Sequence, residues 1–337
     1  MSFDTALLKK LTEAFGPSGR EGDVESIVTE HLKSLKLAPK KDQNGNVSVT
    51  LGKGGKKIML AAHMDEVGVM VSYIDEKGFL KISPVGFIYP EQLLGNRVLF
   101  DNGKWGVFSF EKTMPKVKVD MDSVFVDVGA KDRARAEKDF PVGTFGVFHR
   151  ELTELEGGRM LAKAFDDRIG VYILIKTIEA LKDRELKNTL HFTFTVQEEF
   201  SGLGAQTSGY AFAPDMAIAV DVTDSDDTRE KVHLNMVLDG GPAVKVMDSS
   251  LISHPALKNY FIGVATEKKI PFQLEVLPFG GTDAGTLSLL HKGVPAICIS
   301  IPTRYIHTPS EIISKDDVNN SVRLLEEALI GKIGEII

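Results

Sequence analysis

Residues 57–63 form an apolar run, Lys-Ile-Met-Leu-Ala-Ala-His, with almost no alternation of polar and apolar positions. A strand of this kind is typical of the centre of a sheet that helices cover on both faces. Residues 190–196 and 216–221 predict two further buried strands, and helical patterns precede or follow them. Alternating strands and helices predict an α/β fold with a mostly parallel sheet and helices on both faces.

Residues 67–159 differ in pattern from the rest, because short β-type runs alternate there with Gly, Asn and Pro. Strands at this spacing predict a small β-barrel or sandwich. A chain of 337 residues can hold one large domain and a smaller one. We therefore predict an α/β domain formed by residues 1–66 and 160–337, with an inserted β-rich domain at residues 67–159.

The formal net charge is −7, and no basic tract stands out. Neither nucleic acid nor an anionic membrane is therefore expected as a partner. The single cysteine, Cys298, excludes an intrachain disulfide and suits a reducing compartment. Because the sequence shows neither a signal-peptide pattern nor an apolar run long enough to cross a bilayer, we expect a cytoplasmic protein.

Potential metal ligands follow the predicted strands. In open α/β sheets, sites form outside the carboxyl ends of the strands, and Asp166 at the start of a helix could point into the same crevice. Successive side chains on a strand point in opposite directions, so one of two adjacent glutamates could bind a cation while the other faces a reacting atom. The candidates at strand ends are His63, Glu198, Glu199, Asp221 and His307.

Imidazole and carboxylate ligands without a thiolate suit Zn²⁺ or Co²⁺, and also Mn²⁺. Two such ions, roughly 3.5–4 Å apart and bridged by one carboxylate, would neutralise the crowded acids. Each residue also has an ordinary explanation, since His63 could be a hydrogen-bonded core histidine and Asp166 or Asp283 could cap a helix. Their joint occurrence at one edge of the sheet favours a site for two metal ions.

Six stretches spread over nearly the whole chain carry a family resemblance: residues 61–68, 164–170, 196–199, 219–223, 280–285 and 302–309. In these stretches and in their order, the chain resembles the tetrahedral metalloaminopeptidases, a family also labelled glutamyl aminopeptidase, deblocking aminopeptidase or endoglucanase-M-like protein. The resemblance implies a zinc-peptidase-like α/β catalytic domain whose β-rich insertion forms dimers, and dimers that assemble into a tetrahedral homododecamer.

The resemblance also implies a role for each candidate ligand. Asp166 would bridge two divalent metal ions. His63 and Asp221 would complete one metal site, and Glu199 and His307 would complete the other.

Two further residues would act beside these ligands. Asp65 would accept the free N–H of His63 and fix its tautomer. Glu198 would be the general base, taking a proton from a water that the two ions share and later passing it to the leaving amine. The expected reaction is hydrolysis of the first peptide bond of peptides with a free N-terminus.

Substrate preference stays open. The first-residue pocket is expected near Gly281, Asp283, Arg304 and Ile306. An acidic pocket would select Lys or Arg, a basic one Glu or Asp, and an apolar one Leu or Met. Asp283 could make the pocket acidic or could be a structural cap, and the sequence does not decide between them.

Other functions also stay open. A carboxypeptidase or an amide deacylase could use the same ligands, and Arg168 or Arg304 could bind the terminal carboxylate that a carboxypeptidase recognises. A non-catalytic peptide-binding scaffold would not need an unligated base at Glu198. A glucanase fits poorly, because glycosidases use two carboxylates without metals and Trp105 is the single tryptophan. Metal-dependent turnover would distinguish these functions.

Overall fold

The computed structural model describes residues 3–111, 119–228 and 235–337. The α-helices are α1 (Thr5–Glu13), α2 (Gly22–Ser34), α3 (Pro90–Leu93), α4 (Arg133–Asp139), α5 (Phe165–Leu181), α6 (Glu198–Ser201), α7 (Leu203–Phe212), α8 (Pro255–Lys268), α9 (Asp283–Ser288) and α10 (Lys315–Ile330).

The strands are β1 (Lys40–Lys41), β2 (Val47–Leu51), β3 (Lys57–His63), β4 (Gly68–Ile74), β5 (Leu80–Val85), β6 (Arg97–Phe100), β7 (Trp105–Phe110), β8 (Val124–Asp127), β9 (Phe145–Phe148), β10 (Thr153–Glu154), β11 (Arg159–Ala162), β12 (Thr189–Thr195), β13 (Met216–Asp224), β14 (Ala243–Met247), β15 (Gln273–Val276), β16 (Ala296–Thr303) and β17 (Glu311–Ser314).

The described residues form an eight-stranded sheet in the order β1-β2-β12-β3-β13-β16-β14-β15. The central strands β12, β3, β13 and β16 run parallel to one another, whereas β2 and β14 join them antiparallel. Six of the seven residues of β3 are buried, as expected for a central strand covered on both faces. The predicted α/β fold with a mostly parallel sheet is confirmed.

Helices cover both faces of this sheet. On one face, Ile58 and Leu60 of β3 belong to the large core that includes residues of α1, α5, α8 and α10. On the other face, Met59 and Ala61 pack in a second core with residues of α7 and α9. Successive residues of β3 thus supply two different cores, and burying both faces fixes the register of the strand.

The predicted small barrel is also confirmed. Strands β4-β5-β8-β7-β6-β9 close into a barrel with a hydrophobic core of its own. All of these strands lie between residues 68 and 148. Whether residues 67–159 behave as a separate domain stays a prediction.

Two small features of the fold are among those that were not predicted from the sequence. The short helix α3 follows the barrel strand β5, and a small sheet β10-β11-β17 connects the segment after the barrel to the segment before α10. These elements have only two to four residues each, too few for a periodic pattern to show. None of the described helices is long and apolar enough to span a membrane.

Candidate active-site cleft

A cleft of about 1170 Å³ opens where the parallel strands of the large sheet end. Its described lining comes from the end of β3, the C-terminal part of β13, the segments after β12 and β16, and the barrel segment around α3. This is the position where open α/β sheets form their binding sites. The sequence-predicted residues that line it are His63, Asp166, Glu198, Glu199, Asp221, Gly281, Ile306 and His307.

Asp166 lies between two imidazoles. Its Oδ1 is 3.0 Å from Nε2 of His63, and its Oδ2 is 3.1 Å from Nε2 of His307. Asp166 is buried, and each of its oxygens faces a different histidine. A carboxylate that bridges two metal ions needs this arrangement.

Two more carboxylates flank these histidines, one on each side. Oε1 of Glu199 is 3.2 Å from Nε2 of His307, and Oδ1 of Asp221 is 3.9 Å from Nε2 of His63. The potential ligand atoms of His63, Asp166 and Glu199 all lie within 4.8 Å of one another. The structure therefore brings all five predicted metal ligands to one place.

The chemistry of this donor set fits divalent cations. Burial raises the pKa of Glu199, and it raises the pKa of Asp221 well above its usual range. Burial also acts on Asp166, but hydrogen bonds from His307 and His63 lower its pKa. Oε1 of Glu199 is buried and makes no hydrogen bond of good geometry, although Nε2 of His307 lies 3.2 Å from it. Cations would offset the burial of these acids and supply the missing partner.

Asp65 is buried beneath the cleft and has more contacts than predicted. Its Oδ1 lies 3.4 Å from Nδ1 of His63, and its two oxygens accept the backbone N–H groups of Glu198 at 3.0 Å and Glu199 at 3.1 Å. The hydroxyl of Ser18 donates to Oδ2 at 2.6 Å. Asp65 therefore positions the segment that carries both glutamates as well as one histidine.

The expected geometry of Glu198 and Glu199 is wrong. Strand β12 ends at Thr195, Gln197 takes a left-handed backbone conformation with φ 57°, and the two glutamates begin the single turn of α6. Strand alternation therefore does not separate their side chains. They still face different histidines, because Oε2 of Glu198 lies 3.9 Å from Nε2 of His63 while Glu199 approaches His307.

The expected position of Asp221 at a strand end is also wrong. Strand β13 continues to Asp224, so Asp221 lies within the strand. Parallel pairing of β13 with β16 extends through these last residues. The side chain of Asp221 nevertheless lines the cleft.

Two buried acids of the site were not predicted. Asp167 accepts the backbone N–H of His63 at 3.2 Å, and the peptide bond between Asp166 and Asp167 is cis. Glu311 accepts the backbone N–H of Asp166 at 3.1 Å and that of His307 at 2.9 Å. The Asp-Asp pair was visible in the sequence, but Glu311 is 145 positions from Asp166 and gave no local signal.

Two predicted substrate-binding residues are engaged away from the described lining of the cleft. Asp283 is buried at the start of α9, where its Oδ2 accepts the hydroxyl of Thr195 at 2.6 Å. The N-cap of α9 is Thr282, not Asp283. Arg304 forms a bidentate ion pair with Asp227, with Nε 2.8 Å and Nη2 2.6 Å from the two carboxylate oxygens.

Comparisons with known proteins show the family of this chain. Residues 45–324 match the family described as M42 glutamyl aminopeptidase. The lysyl aminopeptidase of Pyrococcus furiosus is 34% identical over 339 aligned positions, which cover 97% of this chain and 96% of that protein.

Solved structures of aminopeptidases are also similar to this chain. An aminopeptidase from the archaeon Desulfurococcus kamchatkensis superposes with a TM-score of 0.93 at 38% identity, covering 98% of this chain and 95% of that one. The TET1 peptidase of Pyrococcus horikoshii, which can assemble into a tetrahedron or a large octahedral shell, gives a TM-score of 0.87 at 29% identity over 96% and 98% of the two chains. This chain therefore belongs to the M42 glutamyl aminopeptidase family of peptide hydrolases.

Proposed function

We propose that this enzyme removes the first residue of peptides with a free N-terminus, using two divalent metal ions per subunit. Asp166 would hold both ions, because its two oxygens face two different imidazoles. This arrangement is the main observation in support of the proposal. The remaining ligands would be His63 and Asp221 for one ion and Glu199 and His307 for the other. Zn²⁺ or Co²⁺ suits this donor set best, and Mn²⁺ also fits it.

When bound, the ions would lower the pKa of a water between them towards about 7 and polarise the scissile carbonyl. Glu198 lines the cleft next to these ligands. Its backbone N–H donates to Asp65 at 3.0 Å, which holds the segment from which the carboxylate would reach the attacking water. Glu198 would accept the proton of that water and deliver it to the leaving amine nitrogen.

The contacts of two arginines favour an aminopeptidase over a carboxypeptidase. Arg168 is fully buried, donates to the backbone carbonyls of Met64 and Leu11 at 2.6 Å, and pairs with Glu66 at 3.2 Å. Arg304 is paired with Asp227. Both guanidinium groups already pair with an acid, and neither arginine belongs to the described lining of the cleft.

For assembly, we propose dimers formed through the barrel and a tetrahedral homododecamer built from them. The barrel exposes several large apolar side chains, including Tyr73, Trp105 and Val142, and the Pyrococcus horikoshii relative forms a tetrahedron. The buried Cys298 and the absence of other cysteines support the cytoplasm as the location. Light scattering on the purified chain tests the proposed dodecamer, and a monomer would contradict it.

The test of function is hydrolysis of free and N-acetylated aminoacyl-p-nitroanilides, after EDTA treatment and after adding back Zn²⁺, Co²⁺ or Mn²⁺. We expect the metal to restore cleavage of the free substrates but not of the acetylated ones. No cleavage with any ion would overturn the proposal and favour a deacylase or a scaffold.

The role of Glu198 has its own test. Glu198→Gln should keep both ions and lose about 10²- to 10⁴-fold in kcat, the usual contribution of a general base. Glu76→Gln, at an exposed glutamate on the barrel, is the matched control and should change neither quantity. If Glu198→Gln turned over substrate at the wild-type rate, Glu198 would not be the base.

A further inference from the structure

Exposed aromatic side chains cluster around the cleft. Isolated apolar side chains at a surface are ordinary, but a cluster of them beside a cavity marks a binding site. The aromatic residues that are both exposed and part of the described cleft lining are Phe87 (60%), Tyr89 (49%), Phe200 (68%), Phe279 (44%) and Tyr305 (51%).

Phe87 is the member of this cluster with a ring contact to a proposed metal ligand. Its ring centroid lies 6.3 Å from that of His307, and Tyr89 packs edge-on against it at 4.9 Å and 83°. The preceding Gly86 has φ +83°, and a Cβ there would come within 3.3 Å of Cβ of Glu199. The barrel segment between β5 and α3 therefore lies directly against the metal centre and presents an aromatic face to the cleft.

The charges of the lining complement this apolar face. No lysine or arginine lines the cleft among residues 3–111, 119–228 and 235–337. An acidic substrate side chain would therefore find no described cation and would lie near several carboxylates. Asp224 and Asp226 also line the cleft, and both have interaction partners in the structure.

Relatives are named for different first residues. The family is named for glutamyl substrates and the Pyrococcus furiosus relative for lysyl ones, so preference differs between members. We therefore infer the first-residue preference of this chain from the residues that line its own cleft.

We propose that the enzyme prefers an apolar or aromatic first residue, and that Phe87 of the barrel packs against that side chain as a specificity-determining residue. This inference rests on the proposed aminopeptidase function. The apolar face beside His307 would contact the substrate side chain next to the scissile bond. The barrel would thus contribute to substrate selection as well as to assembly.

The test compares kcat/KM for Leu-, Phe-, Ala-, Glu- and Lys-p-nitroanilides with the metal-loaded enzyme. We expect Leu and Phe to exceed Glu and Lys by about 100-fold, the scale on which a hydrophobic pocket discriminates. Phe87→Ala should lower kcat/KM for Leu and Phe about tenfold and that for Ala less than about threefold, because the methyl group of alanine has less surface to pack. Phe87→Leu should keep most of the preference.

A substitution that adds a positive charge tests the same preference in the opposite direction. Phe87→Lys should raise the Glu-to-Leu ratio of kcat/KM at least about tenfold, because it places a cation in the cleft. Tyr210→Ala is the matched control, since Tyr210 is a similarly exposed aromatic residue that lies outside both the barrel and the described cleft lining. This control should leave every ratio unchanged.

The outcomes separate the two proposals. Cleavage of free substrates with Glu or Lys preferred would overturn the specificity inference and leave the aminopeptidase function intact. Equal losses on all substrates in Phe87→Ala would show that Phe87 supports the structure without selecting substrates. No cleavage of any free substrate would overturn the proposed function itself.

Discussion

Glu311→Gln tests whether a buried acid outside the ligand set controls metal binding. Glu311 accepts the backbone N–H groups of Asp166 and His307, and it is buried. A glutamine of nearly the same shape has one oxygen, so one of the two N–H groups would lose its acceptor and face an amide NH₂. We expect the two ligand-bearing segments to be held less firmly.

The size of the effect follows from this geometry. Leaving a buried N–H group without its acceptor costs about 1–3 kcal/mol, and each 1.4 kcal/mol is a factor of ten in a dissociation constant. If this free energy is lost from metal binding, the metal Kd should rise about 10- to 100-fold, as it does when other residues that hydrogen-bond to metal ligands are removed. At saturating metal, kcat should stay within a few-fold of wild type, because Glu311 does not line the described part of the cleft.

The assay is competition for the metal against a chromophoric chelator, together with kcat as a function of free metal. Asp317→Asn is the matched control, because Asp317 is also buried and accepts two backbone N–H groups, those of Asp239 at 2.8 Å and Gly241 at 2.7 Å. This control should lower the free energy of unfolding without changing the metal Kd. An unchanged Kd in Glu311→Gln, or equal changes in both variants, would refute the reasoning.

Two further predictions concern the same centre. Asp166→Asn should lose bound metal, because an amide cannot offer two anionic oxygens to two ions; metal analysis of the purified variant checks this, and two ions per subunit would contradict it. Ser18→Ala removes one donor to Asp65 and should keep both ions while kcat falls by about tenfold or less. Steady-state kinetics checks this against Ser26→Ala, whose hydroxyl bonds only a helix carbonyl in the structure, and a loss of metal in Ser18→Ala would contradict it.

Much of the fold was predictable because its signals are local. Strand β3 has the predicted bounds, since its apolar run starts and stops abruptly at residues 57 and 63. Residues 97–100 and 105–110 are two of the short β-type runs predicted as strands, and barrel strands β6 and β7 have the same bounds. Clustering of the five predicted ligands was predictable for a topological reason, since parallel strands end at the same edge of a sheet.

The sequence could not show the contacts that fix these ligands in place. The turn at Gln197 depends on a left-handed backbone conformation at a residue with no strong preference for it. The contact of Glu311 spans 145 positions, and the ion pair that occupies Arg304 spans 77. Such contacts arise from tertiary packing, which overrides local propensity and leaves no periodic pattern.

Three buried acids of this site each accept two backbone N–H groups. Asp65 accepts the backbone N–H groups of Glu198 and Glu199, and Asp167 accepts those of His63 and Gly170.

Glu311, the third acid, accepts the backbone N–H groups of Asp166 and His307. Four of the five proposed ligands and the proposed base thus have their main chain held by an acid outside the ligand set. Fixing the main chain leaves the side-chain atoms of the ligands free for metal. Because these segments come from distant parts of the chain, the acids also link them to one another around the cleft. Such hydrogen bonds orient metal ligands before substrate binds, which is the pre-organisation that hydrolysis at a metal centre requires.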